Sequence, residues 1–253
     1  MEFISYECDG HIALIHLTRP ERLNAMSSEM ADQLTSALLR FDKDDEAWVA
    51  ILTGEGRAFC AGRDLKQQVE RGGLPEWRYS WEFNIFGLID TDKPIIAAVN
   101  GLAIGIGWYI ALGCDIRIAA KSAEFSMGEV PTGVLGPFWL APAEGLPYAK
   151  AFEYAVMGKR VSAGRLLELG VLNEVVPDED VLKAATRWAE ELVALPPKHV
   201  QRTKKMMRLM RRSPDESLQA LEREVRRYLS DLEDTREAAN AFVEKRTPVF
   251  KGR

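Results

Sequence analysis

Residues 93–115, KPIIAAVNGLAIGIGWYIALGCD, contain no charged side chain between their two ends. This apolar length is close to the ~20 residues that a membrane-spanning helix requires. A single helix does not fit, because Pro94 stands near its start and the turn dipeptide Asn100-Gly101 interrupts it. The β-branched residues before the turn predict a buried strand, and residues 104–112 predict a helix too short to cross a bilayer.

The alternation of strand and helix extends to the N-terminal side of this stretch. Asp9-Gly10 separates two β-rich runs and predicts a hairpin. A serine N-cap opens an amphipathic helix that we expect to end near Phe41. The segment WVAILTG then predicts a strand, and EGRAFCAGRD predicts a loop interrupted by glycines. Such alternation favours stacked, mostly parallel sheets joined by crossovers.

Beyond Pro131 the pattern changes to consecutive helices. The predicted helices are 148–157, 162–169, 178–194, 197–212, 214–232 and 235–245. We therefore predict an α/β core over residues 1–195 and a helical C-terminal region over residues 196–253.

Composition excludes several classes of function. The chain has 253 residues and a net charge of −5, so no overall positive field attracts nucleic acid or an anionic membrane. Its three cysteines are scattered without metal-ligand spacing, which favours a reducing compartment and predicts no metal site. The start, MEFISYECDG, lacks the basic and apolar segments of a secretory signal, and we expect a cytoplasmic protein.

Two glycine-containing segments, AFCAGRD at 58–64 and NGLAIGIG at 100–107, each follow a buried run and lead into a predicted helix. Main-chain N–H groups at such places can bind an anion, and two of them can converge on one oxygen. A purely structural role, in which the glycines only allow tight packing of the chain, agrees equally well with the sequence. The spacing of GIG does not match the dinucleotide-binding fingerprint.

Five segments carry a more specific pattern: RPERLNAM, ILTGEGRAFCAGRDL, KPIIAAVNGLAIGIG, CDIRIAAKSAEFSMGEV and AFVEKRTPVFKGR. Together they resemble the enoyl-CoA hydratase/isomerase (crotonase) family, in its order and spacing and over nearly the whole chain. The resemblance implies a crotonase-like α/β spiral of ββα units with stacked sheets, followed by a helical C-terminal trimerisation region. It also implies a homotrimer or a hexamer built as a dimer of trimers.

The resemblance further implies an acyl-CoA thioester substrate, whose oxygen is bound by the peptide N–H groups of Arg63 and Ile106. These two donors would stabilise the enolate that forms when a proton leaves the substrate, and one such donor is typically worth ~3–4 kcal/mol. Ile106 carries a bulky side chain where relatives often have none. Glu129 matches the acid/base glutamate of the family, although the pattern alone favours a solvated loop glutamate.

Tyr109 is a departure from the family pattern, because hydratases have a second glutamate here and the pair holds the attacking water. A tyrosine, with a reference pKa of about 10, is ordinarily neutral and a poor base. The departure favours double-bond isomerisation, with Glu129 as the proton shuttle. Hydration is the second-ranked reaction. Hydrolysis of a ring or a thioester is the alternative within the family. Tyr109 either faces the pocket or is a core aromatic with its hydroxyl bound to backbone.

For the CoA moiety the resemblance implies six binding residues: Arg22, Ala61, Asp64, Leu65, Phe242 and Lys245. Asp64 is interpreted first as a helix N-cap, and the terminal segment also fits an ordinary amphipathic helix. Phe138 and Trp139 either shape the acyl pocket or belong to the core. Because CoA arrives as part of the substrate, we expect no separate cofactor.

A function of a different class is suggested by residues 198–212, KHVQRTKKMMRLMRR, which carry seven Lys/Arg and no acid. Such a helix can bind phosphate backbones, and RNA binding is known within the family that the sequence resembles. Val200, Met206, Met207 and Met210, however, form an apolar stripe for burial. We favour a solvated, salt-bridged helix and expect no nucleic-acid partner. An RNA- or CoA-binding protein without catalysis is the alternative.

Overall fold

The computed structural model describes residues 3–70, 91–136, 146–211, 224, 227 and 230–249. These residues fall into two compact units. The first unit consists of residues 3–63, 91–125 and 161–211. The second consists of residues 64–70, 126–136, 146–160, 224, 227 and 230–249.

The strands and helices of the described residues are numbered in chain order. The strands are β1 (Ile4–Asp9), β2 (Ile12–Leu17), β3 (Val49–Gly54), β4 (Ala58–Cys60), β5 (Ile95–Val99), β6 (Leu102–Ile104), β7 (Ile116–Ala120), β8 (Glu124–Ser126), β9 (Val161–Ser162) and β10 (Glu174–Val176). The helices are α1 (Ser28–Lys43), α2 (Leu65–Glu70), α3 (Ile106–Leu112), α4 (Tyr148–Met157), α5 (Ala163–Glu168), α6 (Val181–Val193), α7 (Pro197–Arg211) and α8 (Glu233–Glu244).

A six-stranded sheet forms the centre of the first unit, in the order β1-β2-β3-β5-β7-β10. The hairpin predicted at Asp9-Gly10 is confirmed, since β1 and β2 pair antiparallel, whereas the other neighbours pair parallel. β3 and β5 are buried along their whole length, as expected for central parallel strands, and α6 packs against both. Ser27 accepts a hydrogen bond from the Met30 N–H and caps α1, which confirms the predicted serine cap.

A four-stranded sheet, in the order β4-β6-β8-β9, completes the first unit. β4 and β6 pair parallel with a shift of register between Ala58 and Cys60, and β8 pairs antiparallel with β9. This sheet positions both glycine loops, because β4 ends just before residues 61–63 and β6 ends just before α3.

The structure corrects several predicted elements. The segment EGRAFCAGRD contains the strand β4, and the helix predicted over residues 104–112 begins at Ile106 because residues 102–104 pair with β4. In the region predicted to be helical, β9 and β10 are strands, and β10 extends the large sheet by pairing with β7. The helix predicted over 214–232 lies largely outside the described residues. The α/β class is confirmed, while the division between residues 195 and 196 stays a prediction.

In the second unit, helices hold the loop that carries Glu129. α8 and α4 both pack against the 3-10 turn Val130–Thr132, and α8 also packs against α2. Thr235 on α8 donates a hydrogen bond from Oγ1 to the Gly133 carbonyl at 3.0 Å. The loop that follows Glu129 is therefore anchored to α8.

None of the helices in the described ranges has the length and the hydropathy needed to cross a bilayer.

Candidate active site

Two backbone loops of the first unit lie in contact where the parallel strands β4 and β6 end. Gly62, in residues 61–63, has a φ of +101°, and a Cβ built on it would lie 3.2 Å from the Ile104 carbonyl oxygen. A Cβ built on Gly107 would lie 2.9 Å from the carbonyl carbon of Cys60. The two loops therefore approach each other more closely than larger residues at these positions would allow.

The first loop is also held by the segment RPERLNAM. The Ala61 N–H donates to the Leu23 carbonyl at 2.9 Å, and the Met26 N–H donates to the Gly62 carbonyl at 2.7 Å. Arg63 forms an isolated parallel bridge with Met26, and its side chain is partly buried. These bonds hold the peptide that joins Gly62 and Arg63 against the segment RPERLNAM.

Asn24 is a structural residue that the sequence analysis missed. Its side chain is fully buried and accepts the Arg19 N–H at 2.8 Å, while its Nδ2 donates to the carbonyls of Glu55 and Ala58 at 3.0 and 2.8 Å. Asn24 has a φ of +54°, a conformation that asparagine tolerates better than most residues. An asparagine within RPERLNAM was the available signal for this tight turn.

Ile106 is the first residue of α3. The first bond within the helix runs from the Tyr109 N–H to the Gly105 carbonyl at 3.0 Å, so the N–H groups of residues 106–108 have no acceptor inside the helix. The Ile106 side chain is only 4 % exposed. Its bulk is therefore accommodated in the core.

Tyr109 differs in exposure from the rest of α3. Six of the seven residues of this helix, all of it within the described part of the chain, are buried, whereas Tyr109 is partly exposed. Its neighbour Trp108 is fully buried and packs in a tilted arrangement against Phe125, with ring centroids 5.6 Å apart. Tyr109 is thus not a fully buried core aromatic.

Glu129 lies in the second unit, directly before the 3-10 turn Val130–Thr132. Its carbonyl accepts the N–H groups of Thr132 and Val134 at 3.1 and 2.8 Å, which fixes its backbone. The residue is partly buried, and its Oε2 atom has almost no contact with solvent. This burial differs from that of a solvated loop glutamate.

Asp64 and Leu65, also in the second unit, begin α2. Asp64 Oδ1 accepts the Gln67 N–H at 3.2 Å, so the interpretation of Asp64 as a helix cap is confirmed. Leu65 is the first helical residue and is partly buried.

The remaining residues predicted to bind CoA lie at or near the surface. Arg22 is exposed at the end of a 3-10 turn in the first unit, and Ala61 is partly buried. In the second unit, Phe242 on α8 is 58 % exposed, and Lys245 is exposed at the C-cap of the same helix. Phe138 and Trp139 lie outside the described residues.

The structure therefore divides the predicted site residues between the two units. The first unit contains Arg22, Ala61, Arg63, Ile106 and Tyr109. The second contains Asp64, Leu65, Glu129, Phe242 and Lys245. Within the first unit, the loops that carry Arg63 and Ile106 are in direct backbone contact.

Comparison with known proteins identifies the family. A sequence profile described as enoyl-CoA hydratase/isomerase matches residues 7–253. The chain belongs to the enoyl-CoA hydratase/isomerase family. It is 36 % identical to 1,2-epoxyphenylacetyl-CoA isomerase of Escherichia coli K12 over 262 aligned positions, which cover 100 % of both chains.

Two further relatives of this family agree. The (E)-benzylidenesuccinyl-CoA hydratase of Thauera aromatica is 33 % identical, with 98 % of this chain and 99 % of that protein covered. The crystal structure of carnitinyl-CoA hydratase from Mycobacterium avium superimposes with a TM-score of 0.84 at 34 % identity, with 100 % of both chains covered. These matches confirm the resemblance and the prediction of an acyl-CoA enzyme of the hydratase/isomerase type.

The basic helix α7 of this family member contacts its own chain. Lys204 Nζ lies 2.7 Å from the Asp115 carboxylate and donates to the Lys93 carbonyl at 2.6 Å, and Arg208 donates to the Thr91 carbonyl at 2.6 Å. These contacts support the salt-bridged interpretation over RNA binding. The predicted burial of the apolar stripe is wrong at two positions, because the side chains of residues 206 and 207, both methionines, are 59 % and 68 % exposed in the chain.

No group of three or more His, Cys, Asp or Glu side chains within the described ranges is arranged to hold a metal ion. All three cysteines lie in those ranges and are free thiols.

Proposed function

We propose that this protein isomerises the double bond of an enoyl-CoA thioester. The observation that carries the proposal is the backbone contact between the loops of Arg63 and Ile106, which share one sheet and lead towards helices. Tyr109, one turn along α3 from Ile106, supplies a phenol where the resemblance describes a second carboxylate. One carboxylate and two amide donors are sufficient for a proton shift along an enoyl thioester.

In this mechanism the Glu129 carboxylate removes a proton from the α-carbon of a 3-enoyl-CoA. The electron pair of that C–H bond moves towards the thioester carbonyl, whose oxygen becomes an enolate oxygen. The N–H groups of Arg63 and Ile106 donate to this oxygen and lower the barrier. Glu129 then returns the proton to the γ-carbon, and the conjugated 2-enoyl-CoA forms without gain or loss of atoms.

Hydration of a 2-enoyl-CoA is the second candidate, and the names of two relatives support it. Addition of water to the β-carbon would also place negative charge on the thioester oxygen, in the enolate of a 3-hydroxyacyl-CoA, so both reactions use the same pair of amides. They differ in whether water is held next to the substrate. Hydrolysis of a ring or thioester is the remaining alternative within the family.

The proposed substrate is an acyl-CoA, and the residues that we propose to contact its CoA moiety are Arg22, Ala61, Asp64, Leu65, Phe242 and Lys245. The exposure of Phe242 at 58 % supports a role in stacking on a planar group such as adenine. Proton transfer by a carboxylate needs no redox or metal chemistry. We therefore propose that CoA enters only as part of the substrate.

We also propose a cytoplasmic homotrimer, or a hexamer made of two trimers. Exposed apolar side chains on α4 support self-association: Tyr148 is 76 % exposed, Phe152 50 % and Met157 55 %. We expect analytical ultracentrifugation to give three or six times the mass of one chain. A monomer at micromolar concentration would contradict this part of the proposal.

The experiment that tests the reaction is incubation with a panel of 2-enoyl, 3-enoyl and cyclic acyl-CoAs, analysed by liquid chromatography, which separates the isomers, with mass spectrometry. The panel includes acyl groups that carry a phenyl or an epoxidised phenyl ring, because such groups occur in the names of two relatives. Isomerisation leaves the mass unchanged, hydration adds one water, and thioester hydrolysis releases CoA. We expect conversion of a 3-enoyl-CoA to its conjugated isomer.

The same reaction tests Glu129. Glu129→Gln should lower kcat by about 10²- to 10⁴-fold, because the amide cannot accept the proton, while affinity for CoA changes little. Glu124→Gln is the matched control: it makes the same substitution on β8, at a residue that is also partly buried, and should leave kcat unchanged. Full turnover by Glu129→Gln would refute the assignment.

A further inference from the structure

The contact between Gly107 and Cys60 joins the two loops that carry the proposed donor amides. A Cβ built on Gly107 would lie 2.9 Å from both the carbonyl carbon and the Cβ of Cys60. Outside its own residue and the two adjacent residues, a real Cβ atom essentially never lies within 3.0 Å of another heavy atom. Only glycine therefore permits the observed spacing between α3 and the end of β4 without movement of the backbone.

Cys60 is itself tightly held. Its side chain is fully buried, and its Sγ lies 3.8 Å from the Gly62 carbonyl oxygen. Burial raises the pKa of the Cys60 thiol to about 12, so the group is a neutral S–H donor near pH 7. The same carbonyl of Gly62 accepts the Met26 N–H at 2.7 Å. The turn from Cys60 to Arg63 is thus fixed by bonds on both sides.

The contact between Gly107 and Cys60 lies close in sequence to both of the proposed donor amides. Gly107 directly follows Ile106, and Cys60 lies three residues before Arg63. Because peptide units are planar and of fixed length, the spacing of the chains at this contact limits the spacing of the two N–H groups. Donors of this kind act well only at about 2.7–3.1 Å from the developing oxyanion.

We propose that Gly107 and Cys60 are positioning residues, which set the separation of the Arg63 and Ile106 amides and so the stabilisation of the enolate oxygen. This inference rests on the proposed function, because it assumes that both amides bind the thioester oxygen. It adds two residues that act through the backbone and do not contact the substrate.

The decisive variant is Gly107→Ala, with Gly101→Ala as its matched control. A Cβ built on Gly101 would lie 2.9 Å from the carbonyl carbon of Arg57. Both substitutions therefore push a segment of chain away from β4: Gly107→Ala moves the start of α3 from the end of β4, whereas Gly101→Ala acts at the other end of β4, remote from Arg63 and Ile106. Loss of stability is expected in both variants, and loss of donor geometry only in Gly107→Ala.

The readout is the infrared C=O stretch of butyryl-CoA and phenylacetyl-CoA, each labelled with ¹³C at the thioester carbonyl and bound to the enzyme. These probes lack the double bond that the proposed reaction shifts. Two well-placed donors polarise the carbonyl and lower its frequency relative to free thioester. In Gly107→Ala we expect most of this shift to disappear and kcat on 3-enoyl-CoA to fall by about 10²-fold, with little change in probe affinity. Gly101→Ala should keep the shift.

A second pair of substitutions, which are less disruptive, tests the inference if Gly107→Ala does not fold. Cys60→Ala removes the thiol next to the Gly62 carbonyl. Cys114→Ala makes the same change at another buried cysteine, whose Sγ lies 3.4 Å from the Ile110 carbonyl at the far end of α3. Cys60→Ala should reduce the infrared shift and lower kcat several-fold, and Cys114→Ala should do neither.

The possible results distinguish the proposed function from the positioning role of Gly107 and Cys60. If the wild-type enzyme binds the probes without a shift, the proposed function is overturned and the positioning inference falls with it. If the wild-type enzyme shows the shift, and Gly107→Ala and Cys60→Ala retain it in full, only the positioning inference is overturned. If Gly107→Ala does not fold, the comparison of Cys60→Ala with Cys114→Ala decides.

Discussion

At the scale of single residues, Tyr109 is where this chain departs from the hydratases that its sequence resembles. It is partly exposed on a helix whose other residues are buried, and it lies three residues after Ile106. Tyr109 therefore lies about one helical turn from the Ile106 amide. A neutral phenol there can orient a group but does not replace a carboxylate base.

Substitution of Tyr109 tests this role. Tyr109→Phe should keep isomerisation of a 3-enoyl-CoA within about threefold, because an un-ionised phenol contributes little as a base. Tyr109→Glu should add formation of 3-hydroxyacyl-CoA from a 2-enoyl-CoA, because it provides the second carboxylate that the resemblance to the family's hydratases implies for holding water. Liquid chromatography with mass spectrometry measures both products.

Tyr109→Phe is also the control for the new activity, since it removes the hydroxyl without adding a carboxylate. A loss of isomerisation in Tyr109→Phe as large as that in Glu129→Gln would mean that the phenol takes part in proton transfer.

At the scale of secondary-structure elements, a buried lysine ties the end of α1 to the large sheet. Lys93 Nζ donates to the carbonyls of Phe41 and Asp44 at 2.9 and 2.6 Å, where α1 ends. A cation at this end of a helix also interacts favourably with the helix dipole. Lys204 on α7 donates to the Lys93 carbonyl, so three segments of the first unit meet here.

Lys93→Met should lower the free energy of unfolding by about 2–3 kcal/mol, because it leaves two carbonyls without their charged donor. Lys205→Met is the control: Lys205 is 49 % exposed, lies 3.7 Å from Asp92, and should contribute less than about 0.5 kcal/mol. Urea denaturation followed by circular dichroism measures both. Equal effects of the two substitutions would contradict the role of Lys93.

Burial also lowers the pKa of Lys93 below its ordinary value of 10.5, while nearby carboxylates act in the opposite direction. Between the folded pKa and 10.5 the unfolded chain binds more protons than the folded chain, so Lys93 makes stability rise with pH in this window. Lys93→Met should lack that rise.

The elements that sequence analysis missed are the short ones. β4 and β10 have three residues each, too few to show an alternating pattern. β10 is a strand because it pairs with β7, which lies more than fifty residues earlier in the chain. Longer elements with clear periodicity, such as α1 and the hairpin, were predicted close to their observed bounds.

At the scale of the whole molecule, the family and the α/β class could be predicted because five motifs occur in one order over the chain. The two glycine-containing loops that lead from β4 and β6 towards helices could also be found in the sequence, whereas the donor role of their amides stays a proposal. The buried bonds of Asn24 and the contact of Cys60 with Gly107 could not be predicted, because they depend on the distance between segments remote in sequence. The acyl group is likewise not encoded in a motif.

The central claim is that one carboxylate shifts a proton on a CoA thioester without using water. Its most direct test is incubation of 3-enoyl-CoA substrates in H₂¹⁸O, followed by liquid chromatography, which separates the 3-enoyl and 2-enoyl isomers, and mass spectrometry of each product. We predict conversion to 2-enoyl-CoA with no ¹⁸O incorporated, and loss of this conversion in Glu129→Gln. Products that carry ¹⁸O, as 3-hydroxyacyl-CoA or as free acid, with no isomerisation of any 3-enoyl-CoA, would contradict the account.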